Sequence, residues 1–199
     1  MATTARTTGV GAPSTTAVDV GCLIARVVIG FVFLAHGLQK FGMFTGGGLP
    51  TSISEQADFL RFGGYEATTF LSWVLTLTEI GAGVSLLLGF LTPLGAAGVL
   101  GIGSQFILGL QWPNGLFGGD AGPGYELTFM LAGAVSMLAF VGPGRYSLDA
   151  RIGRRIAGLP LGSSSVSLGV AAIVLGLGVG VIVLAFLGPG LFPSGPPTG

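Results

Sequence analysis

The sequence predicts an all-α membrane protein, a polytopic bundle of helices. Charged residues make up only 8% of the 199 residues, against roughly a quarter in an ordinary soluble domain, and the mean hydropathy is +0.85. The chain also contains five apolar segments close to the length of about 20 residues that a helix needs to cross a bilayer. This number of charged residues is too small to cover the surface of a water-soluble globule. We therefore expect the lipid bilayer to surround most of the chain.

The composition excludes several other classes of protein. Half of the residues are hydrophobic, whereas disordered chains combine low hydrophobicity with high charge. The formal net charge is zero, whereas a nucleic-acid binder needs clustered positive charge. The single cysteine and the single histidine exclude an internal disulfide and a Cys/His zinc centre. We therefore predict no nucleic-acid partner and no metal site.

The five predicted spans are bounded by glycine, proline or polar residues. They cover residues 20–41, 68–91, 93–112, 125–141 and 166–187. We expect residues 19–165 to form a four-helix core and residues 166–188 to add a fifth transmembrane helix. Residues 1–18 are interpreted as a mobile cytoplasmic tail and residues 189–199 as a tail rich in glycine and proline.

Two shorter segments predict helices at the membrane surface. Residues 52–62 begin with a capping box formed by Ser52 and Glu55, which is a signature of a helix N-terminus. Residues 147–158 place three arginines on one helical face, which is typical of a helix that lies on anionic headgroups.

The basic residues outside the spans predict the orientation. Five of them lie on the side of the N-terminal tail and two on the opposite side; the five are Arg6, Arg145, Arg151, Arg154 and Arg155, and the two are Lys40 and Arg61. Because cytoplasmic loops carry an excess of Lys and Arg, we expect the N-terminus in the cytoplasm and the C-terminus outside.

Small residues recur at helical spacing in three spans. They are Gly81, Ser85 and Gly89 in the second, Gly95, Gly98 and Gly101 in the third, and Gly176 and Gly180 in the fifth. Helices in lipid associate through close contact at small residues, so we interpret these stripes as contact faces. The fifth span has no polar anchor, and its stripe is a candidate contact for a partner protein.

Six polar residues in or near the spans are candidates for binding a ligand or handling protons. They are Arg26, His36, Lys40, Glu79, Gln105 and Glu126. Charged groups within a span are costly and normally face the bundle interior and pair with one another. We expect Arg26 to pair with Glu79 near the middle of the membrane, since Arg and carboxylate form bidentate pairs. The alternative is that the pair only fixes the register of the helices.

A second polar layer is expected near the outer surface. It would contain His36, Lys40 and Glu126, with Gln105 beside them, and both layers would open into one groove floored by the glycines of the first span. The alternatives are that His36 is a satisfied core histidine and that Lys40 is an interfacial lysine whose ammonium reaches water.

These residues, taken in order, resemble the DoxX family of small bacterial membrane proteins over about residues 20–150. The motifs are Arg26-x3-Gly30-x2-Phe33-x2-His36-Gly37-x2-Lys40, Glu79-x3-Gly83-x5-Gly89, Gly124-Tyr125-Glu126 and Gly142-Pro143-Gly144-Arg145-Tyr146-Ser147-Leu148-Asp149. The resemblance implies a four-helix core in a bacterial plasma membrane. It also implies an association with redox chemistry, because some members are subunits of thiosulfate:quinone oxidoreductases and others are linked to redox defence. The fifth span and the glycine-rich tail depart from the family pattern.

Three functions are compatible with these observations. The first is a redox-associated subunit that binds a quinone in a polar groove, with Arg26 and Glu79 setting its polarity and His36 and Glu126 bonding to the ligand or passing its protons. No residue here is an intrinsic redox group, so this chain would be at most one subunit of a quinone-linked oxidoreductase. The second is a non-catalytic accessory or assembly subunit of a larger membrane complex. The third, a transporter, is disfavoured because the polar residues stop near the middle of the membrane.

Overall fold

The fold is a bundle of apolar helices. A computed structural model describes residues 15–46, 48–119, 122–152, 160–162 and 164–193. The helices are α1 (Thr15–Gln39), α2 (Ile53–Phe62), α3 (Thr68–Leu88), α4 (Thr92–Gln105), α5 (Glu126–Val141), α6 (Leu148–Ile152) and α7 (Val166–Leu187). The helix α4 continues as a π-helix over Phe106–Gln111 and as a 3-10 turn over Trp112–Asn114. The predicted class, an all-α polytopic membrane protein, is confirmed.

Among the described residues, four helices are long and apolar enough to cross a membrane: α1, α3, α4 with its continuation, and α7. The fifth predicted span, α5, has 16 residues, or about 24 Å. It nevertheless connects the two ends of the bundle. Near its start, Thr128 donates a hydrogen bond to Gln111, and near its end, the carbonyl of Phe140 accepts one from Ser165 at the start of α7. That α5 itself crosses the bilayer stays a prediction.

The helices surround α4, which contacts α3, α5 and α7, while α1 lies against α3 and α5. Neighbours along the chain are antiparallel: Gly30 of α1 meets Leu87 of α3, and Gly37 meets Ile80. The end of the bundle where α1 begins, with the loop of residues 89–92 and the segment 142–149, is called the proximal end. The other, with α2 and the ends of α1 and α7, is called the distal end.

Glycines set the closest helix contacts. A Cβ atom added at Gly83 of α3 would lie 2.5 Å from the backbone nitrogen of Leu34 in α1 and 2.8 Å from the carbonyl oxygen of Gly30. Gly30 and Gly37 of the first span are therefore covered by α3. The expectation that they floor an open groove is wrong, because close helix contact fills the space that small residues create.

The stripe on α7 also has its partner within the chain. A Cβ atom at Gly176 would lie 2.5 Å from the carbonyl oxygen of Ala97, and one at Gly180 would overlap the hydroxyl of Ser104. Both of these residues belong to α4, which runs parallel to α7. The expectation that this stripe serves a partner protein is wrong, because α4 already occupies it.

The predicted surface helix near residues 52–62 is α2. Ser52 accepts a hydrogen bond from the backbone N–H of Glu55 at 3.2 Å, while the Glu55 carboxylate accepts one from the N–H of Thr51 at 2.7 Å. Only the first part of the second predicted surface helix is described, as α6. Residues 153–159, with Arg154 and Arg155, lie outside the described residues, as do residues 1–14 and 194–199 of the two tails.

Candidate functional site

Arg26 is fully buried at the proximal end, with 0% of its surface exposed. Its guanidinium donates to the carbonyl of Leu86 at 3.2 Å and to the carbonyl of Tyr146 at 2.9 Å. The first carbonyl belongs to the last turn of α3, where the negative end of the helix dipole stabilises a positive charge. Gly89 is needed beside it, because φ is +62° and a Cβ atom there would overlap the guanidinium and Ser147. Arg26 thus joins α1 to the end of α3 and to the segment 142–149.

Asp149 closes the same end of the bundle. Its carboxylate accepts hydrogen bonds from the backbone N–H groups of Leu91 at 2.8 Å and Thr92 at 2.9 Å, and its own N–H donates to Gly89 at 2.8 Å. It therefore caps the N-terminus of α4 from a distant part of the chain. Sequence reasoning missed this role. The only available signals were that α4 begins without a polar capping side chain at Leu91 and that Asp149 ends a turn-rich motif.

The predicted pair between Arg26 and Glu79 is wrong. Among the described residues, the one ion pair within 4.0 Å joins Arg61 to Asp58 on the surface. The antiparallel contacts of α1 with α3 place Arg26 opposite the end of α3, about 12 residues or roughly 18 Å along the helix axis from Glu79. No arginine side chain spans that distance. Asp149 is a carboxylate at the same end of the bundle as Arg26, and its backbone N–H donates to the carbonyl of Gly89.

Glu79 lies next to the end of α1. The helix stops at Gln39, and Gly37 contacts Ile80 and the Cβ atom of Glu79. Lys40 folds back so that its ammonium donates to the carbonyl of His36 at 3.2 Å, which is a favourable place for a cation. Lys40 is 7% exposed and Glu79 is 6% exposed.

Further polar groups continue from Glu79 toward the distal end. Ser72 and Thr76 precede it at spacings that place all three on one face of α3, and Thr76 donates to the amide oxygen of Gln56 in α2 at 3.0 Å. The hydroxyl of Ser72 and one carboxyl oxygen of Glu79 are buried without a hydrogen-bond partner in the described structure. We call Lys40, Gln56, Ser72, Thr76 and Glu79 the distal polar cluster.

The second predicted layer is not a buried cluster in the described structure. His36 and Glu126 are both exposed, and of the predicted group only Lys40 and Gln105 are buried. His36 precedes Gly37, which faces α3, so a turn of about 100° per residue points the imidazole away from the helix contact. Glu126 is the first residue of α5, and its backbone N–H donates to Leu116 at 3.0 Å. No ion pair joins His36 to Glu126 among the described residues, and that the two act together stays a prediction.

Gln105 belongs to a different feature, a groove of about 780 Å³ between α3, α4 and α7. The lining is mostly apolar, and the residues that the argument uses are Thr78, Gly81, Ser85, Gly98, Gln105 and Val179. Along α3 the lining extends from Leu71 to Leu88, which corresponds to about 25 Å. We call this feature the α3–α4–α7 groove.

The amide of Gln105 stands at the distal part of this groove. Gln105 is 7% exposed, and its side-chain nitrogen makes a long hydrogen bond of 3.4 Å to the carbonyl of Gly101. Its backbone carbonyl accepts from the hydroxyl of Tyr65 at 3.3 Å. In the part of the chain that the structure describes, no three His, Cys, Asp or Glu side chains come together as metal ligands. The polar chemistry of the groove is therefore that of hydroxyl and amide groups.

The described residues form a multi-pass helical membrane protein with two separate polar regions and an apolar groove between α3, α4 and α7. The family model of DoxX matches residues 21–110, which include most of α1 and all of α2, α3 and α4. A Mycobacterium tuberculosis protein with the name "Uncharacterized membrane protein Rv3486" is 34% identical over 139 residues, which is 65% of this chain and 80% of the relative. No solved structure matches significantly. The chain belongs to the DoxX family.

Proposed function

We propose that this chain is a membrane subunit that binds a quinone, or a similar lipid-soluble ligand, in the α3–α4–α7 groove. The observation that carries the proposal is the groove itself. Its volume of about 780 Å³ lies in the range of small-molecule sites, about 300–1,000 Å³, which are also mostly apolar with a few well-placed polar groups. Because it opens between helices that cross the membrane, a ligand would enter it from the hydrocarbon phase.

The shape and polarity of the groove suit a ring with a long apolar tail. Gly81 and Gly98 line it without bulky side chains, and a Cβ atom at Gly81 would meet nothing within 4 Å. In the described structure the amide nitrogen of Gln105 makes one long hydrogen bond, to the carbonyl of Gly101, so it can donate its second hydrogen to a quinone carbonyl. The ring would then lie near the distal end and the tail would follow α3.

The redox part of this proposal requires a partner. The electrons would come from the bound carrier and from a protein that supplies or removes them, so we propose other membrane subunits as partners. We place the protein in the bacterial plasma membrane with the proximal end in the cytoplasm. Support for this orientation comes from Arg145 and Arg151, which lie beyond α5 on the proximal side, and it follows the excess of basic residues in cytoplasmic loops.

A second candidate function, an accessory subunit without a ligand, is favoured by one observation. Arg26 is the most completely buried charged side chain described, and its hydrogen bonds go to the carbonyls of Leu86 and Tyr146. Both bonds hold the proximal end together. The hydrogen bonds described for this buried charge thus serve the fold, which agrees with a subunit that has a structural role and binds no ligand.

The decisive experiment fills the groove and measures the bound ligand. Gly81→Leu places a side chain in the groove, whereas Gly133→Leu is a matched control on α5, where a Cβ atom also meets nothing within 4 Å. The full-length proteins are purified in mild detergent, and quinones are extracted and quantified by mass spectrometry. We expect at least a roughly tenfold lower quinone content in Gly81→Leu, which corresponds to about 1.4 kcal/mol of binding free energy, and an unchanged content in Gly133→Leu.

Two results would contradict the proposal that the groove binds a quinone. They are the absence of quinone from the unaltered protein, and equal quinone content in both variants. If a stoichiometric membrane protein co-purifies in either case, the accessory function is the better description.

The orientation has its own test. Arg61 lies at the distal end and Arg145 at the proximal end, and both are exposed; Cys22 is buried and is replaced by Ala in both variants. In intact cells an impermeant maleimide is expected to label Arg61→Cys, and to label Arg145→Cys only after the cells are permeabilised. The reverse pattern would invert the proposed topology without affecting the groove.

A further inference from the structure

The distal polar cluster lies on the α1 and α2 side of α3, away from the groove. We propose that this cluster is a proton-binding site, in which the carboxyl of Glu79 carries a proton at neutral pH. This inference goes beyond the proposed function and does not depend on a ligand in the α3–α4–α7 groove. It is argued from the hydrogen bonds, the burial and the charges around Glu79.

The first argument is that the described structure offers no hydrogen-bond donor to the buried Oε2 atom of Glu79. Glu79 is 6% exposed, and its Oε2 atom has no hydrogen-bond partner among the residues described. An ionised carboxylate that is buried without donors is strongly disfavoured, and such a group normally takes up a proton instead. A neutral carboxyl group suits this position better than an anion.

The second argument is that Lys40 already serves another acceptor. Its ammonium donates to the carbonyl of His36 in the last turn of α1, where the end of the helix dipole attracts a cation. No ion pair within 4.0 Å joins Lys40 to Glu79 in the described structure. The charge on Lys40 is therefore stabilised without an anionic Glu79.

The third argument is that the other charged groups near this region are engaged elsewhere or face outward. On α1, the imidazole of His36 is exposed. On α2, the Glu55 carboxylate is bonded to Thr51, and Asp58 pairs with Arg61 at the surface. The remaining helix against α3 is α4, whose residues 92–105 include no Asp, Glu, Lys, Arg or His.

The fourth argument is that a path for the proton lies on the same face of α3. Ser72 is seven positions before Glu79, about 10 Å toward the distal end, and its buried hydroxyl also has no hydrogen-bond partner among the residues described. Between them, Thr76 is bonded to Gln56 of α2. Buried polar groups of this kind are commonly bridged by internal water, so the proton would reach Glu79 from the distal end, beneath α2.

The test is infrared spectroscopy of the full chain in lipid nanodiscs, prepared with isotope-labelled glutamate so that its carbonyl band is separated from that of the lipid esters. The chain has four glutamates: Glu55, Glu66, Glu79 and Glu126. At neutral pH we expect a protonated-carboxyl band in the unaltered protein. We expect this band to be lost in Glu79→Gln and to remain in Glu126→Gln, a matched change at an exposed position.

A second variant keeps the test decisive if Glu79→Gln does not fold. In the combined variant Glu55→Gln, Glu66→Gln and Glu126→Gln, Glu79 is the one labelled glutamate, and the three changed positions are exposed. The band must persist at neutral pH in this protein. Its absence here or in the unaltered protein, or its persistence in Glu79→Gln, would overturn the proposal, whereas loss of quinone from the groove would not.

Discussion

Asp149 and Thr92, which lie 57 positions apart in the chain, are joined by a hydrogen bond of 2.9 Å from the Thr92 backbone N–H to the Asp149 carboxylate. The other carboxylate oxygen accepts from Leu91 at 2.8 Å. One buried side chain therefore supplies the cap for the central helix α4, and it does so from beyond α5. This contact joins the segment after α5 to the loop between α3 and α4 at the proximal end.

The cap predicts a graded loss of stability. Asp149→Ala removes both acceptors and leaves two N–H groups unpaired, so we expect the free energy of unfolding to fall by about 2–4 kcal/mol. Asp149→Asn keeps one acceptor and should cost about half as much. Thermal unfolding in detergent micelles measures both. Asp58→Ala, in an exposed pair, should cost less than about 1 kcal/mol, and an equal effect at Asp58 and Asp149 would contradict the capping role.

The separation of Arg26 from Glu79 predicts that their substitutions act independently. Arg26→Met removes two bonds from a charged donor to carbonyls and should cost about 2–4 kcal/mol. In the double variant with Glu79→Leu, the two effects should add within about 0.5 kcal/mol, because the residues share no partner. A double-mutant cycle of unfolding free energies checks this. A coupling well above that value would restore the direct pair that the sequence had suggested.

The contact of α1 with α3 predicts that alanine substitutions at two nearby glycines of α3 change the stability of the protein differently. Gly83→Ala forces a methyl group against the backbone of Leu34 and Gly30, so it should destabilise the protein by about 1–3 kcal/mol. Gly81→Ala points into the open groove and should be neutral, or stabilising by up to about 1 kcal/mol, because alanine favours helix. Unfolding curves in the same detergent compare the two. Equal destabilisation would mean that α1 does not lie against Gly83.

The buried hydroxyl of Tyr65 leads us to expect that the stability of the folded protein decreases at alkaline pH. Burial between α2 and α3 raises the pKa of its hydroxyl, which also donates to the carbonyl of Gln105. The folded protein then keeps a proton that the unfolded chain loses above about pH 10, so stability is present below that pH and decreases as the pH rises through it.

The measurement is the melting temperature as a function of pH for Tyr65→Phe and for the control Tyr146→Phe, whose side chain is exposed. The tyrosine contribution to the alkaline decrease should disappear in the first variant and persist in the second. If Tyr65→Phe shows the same decrease as the unaltered protein, the hydroxyl of Tyr65 is not the group responsible.

Features that depend on neighbouring residues were predictable. Hydropathy located the helices within a few residues, because each span must satisfy its own backbone in lipid. The capping residues Ser52 and Glu55 located α2, because the capping bonds are formed within one turn. The resemblance to the DoxX family, which is confirmed, was also recognisable from the sequence because its motifs are short segments of consecutive residues.

The candidate site was predictable only in part. Arg26, Lys40, Glu79 and Gln105 are buried as expected, but they belong to three different places. Gln105 lines the groove, Lys40 and Glu79 lie at the end of α1, and Arg26 lies at the proximal end. Burial of a polar residue in a span follows from the cost of exposing it to lipid, whereas its partner depends on which residue of another helix stands at the same depth.

Composition and local pattern were thus sufficient to predict an all-α membrane bundle and to identify the polar residues within its helices. The partners of those residues were decided by the axial shift of α1 against α3, by the parallel contact of α4 with α7, and by the return of Asp149 to the start of α4. The physical reason is that a shift of one helix along another exchanges every facing residue, yet leaves the apolar composition of both helices unchanged.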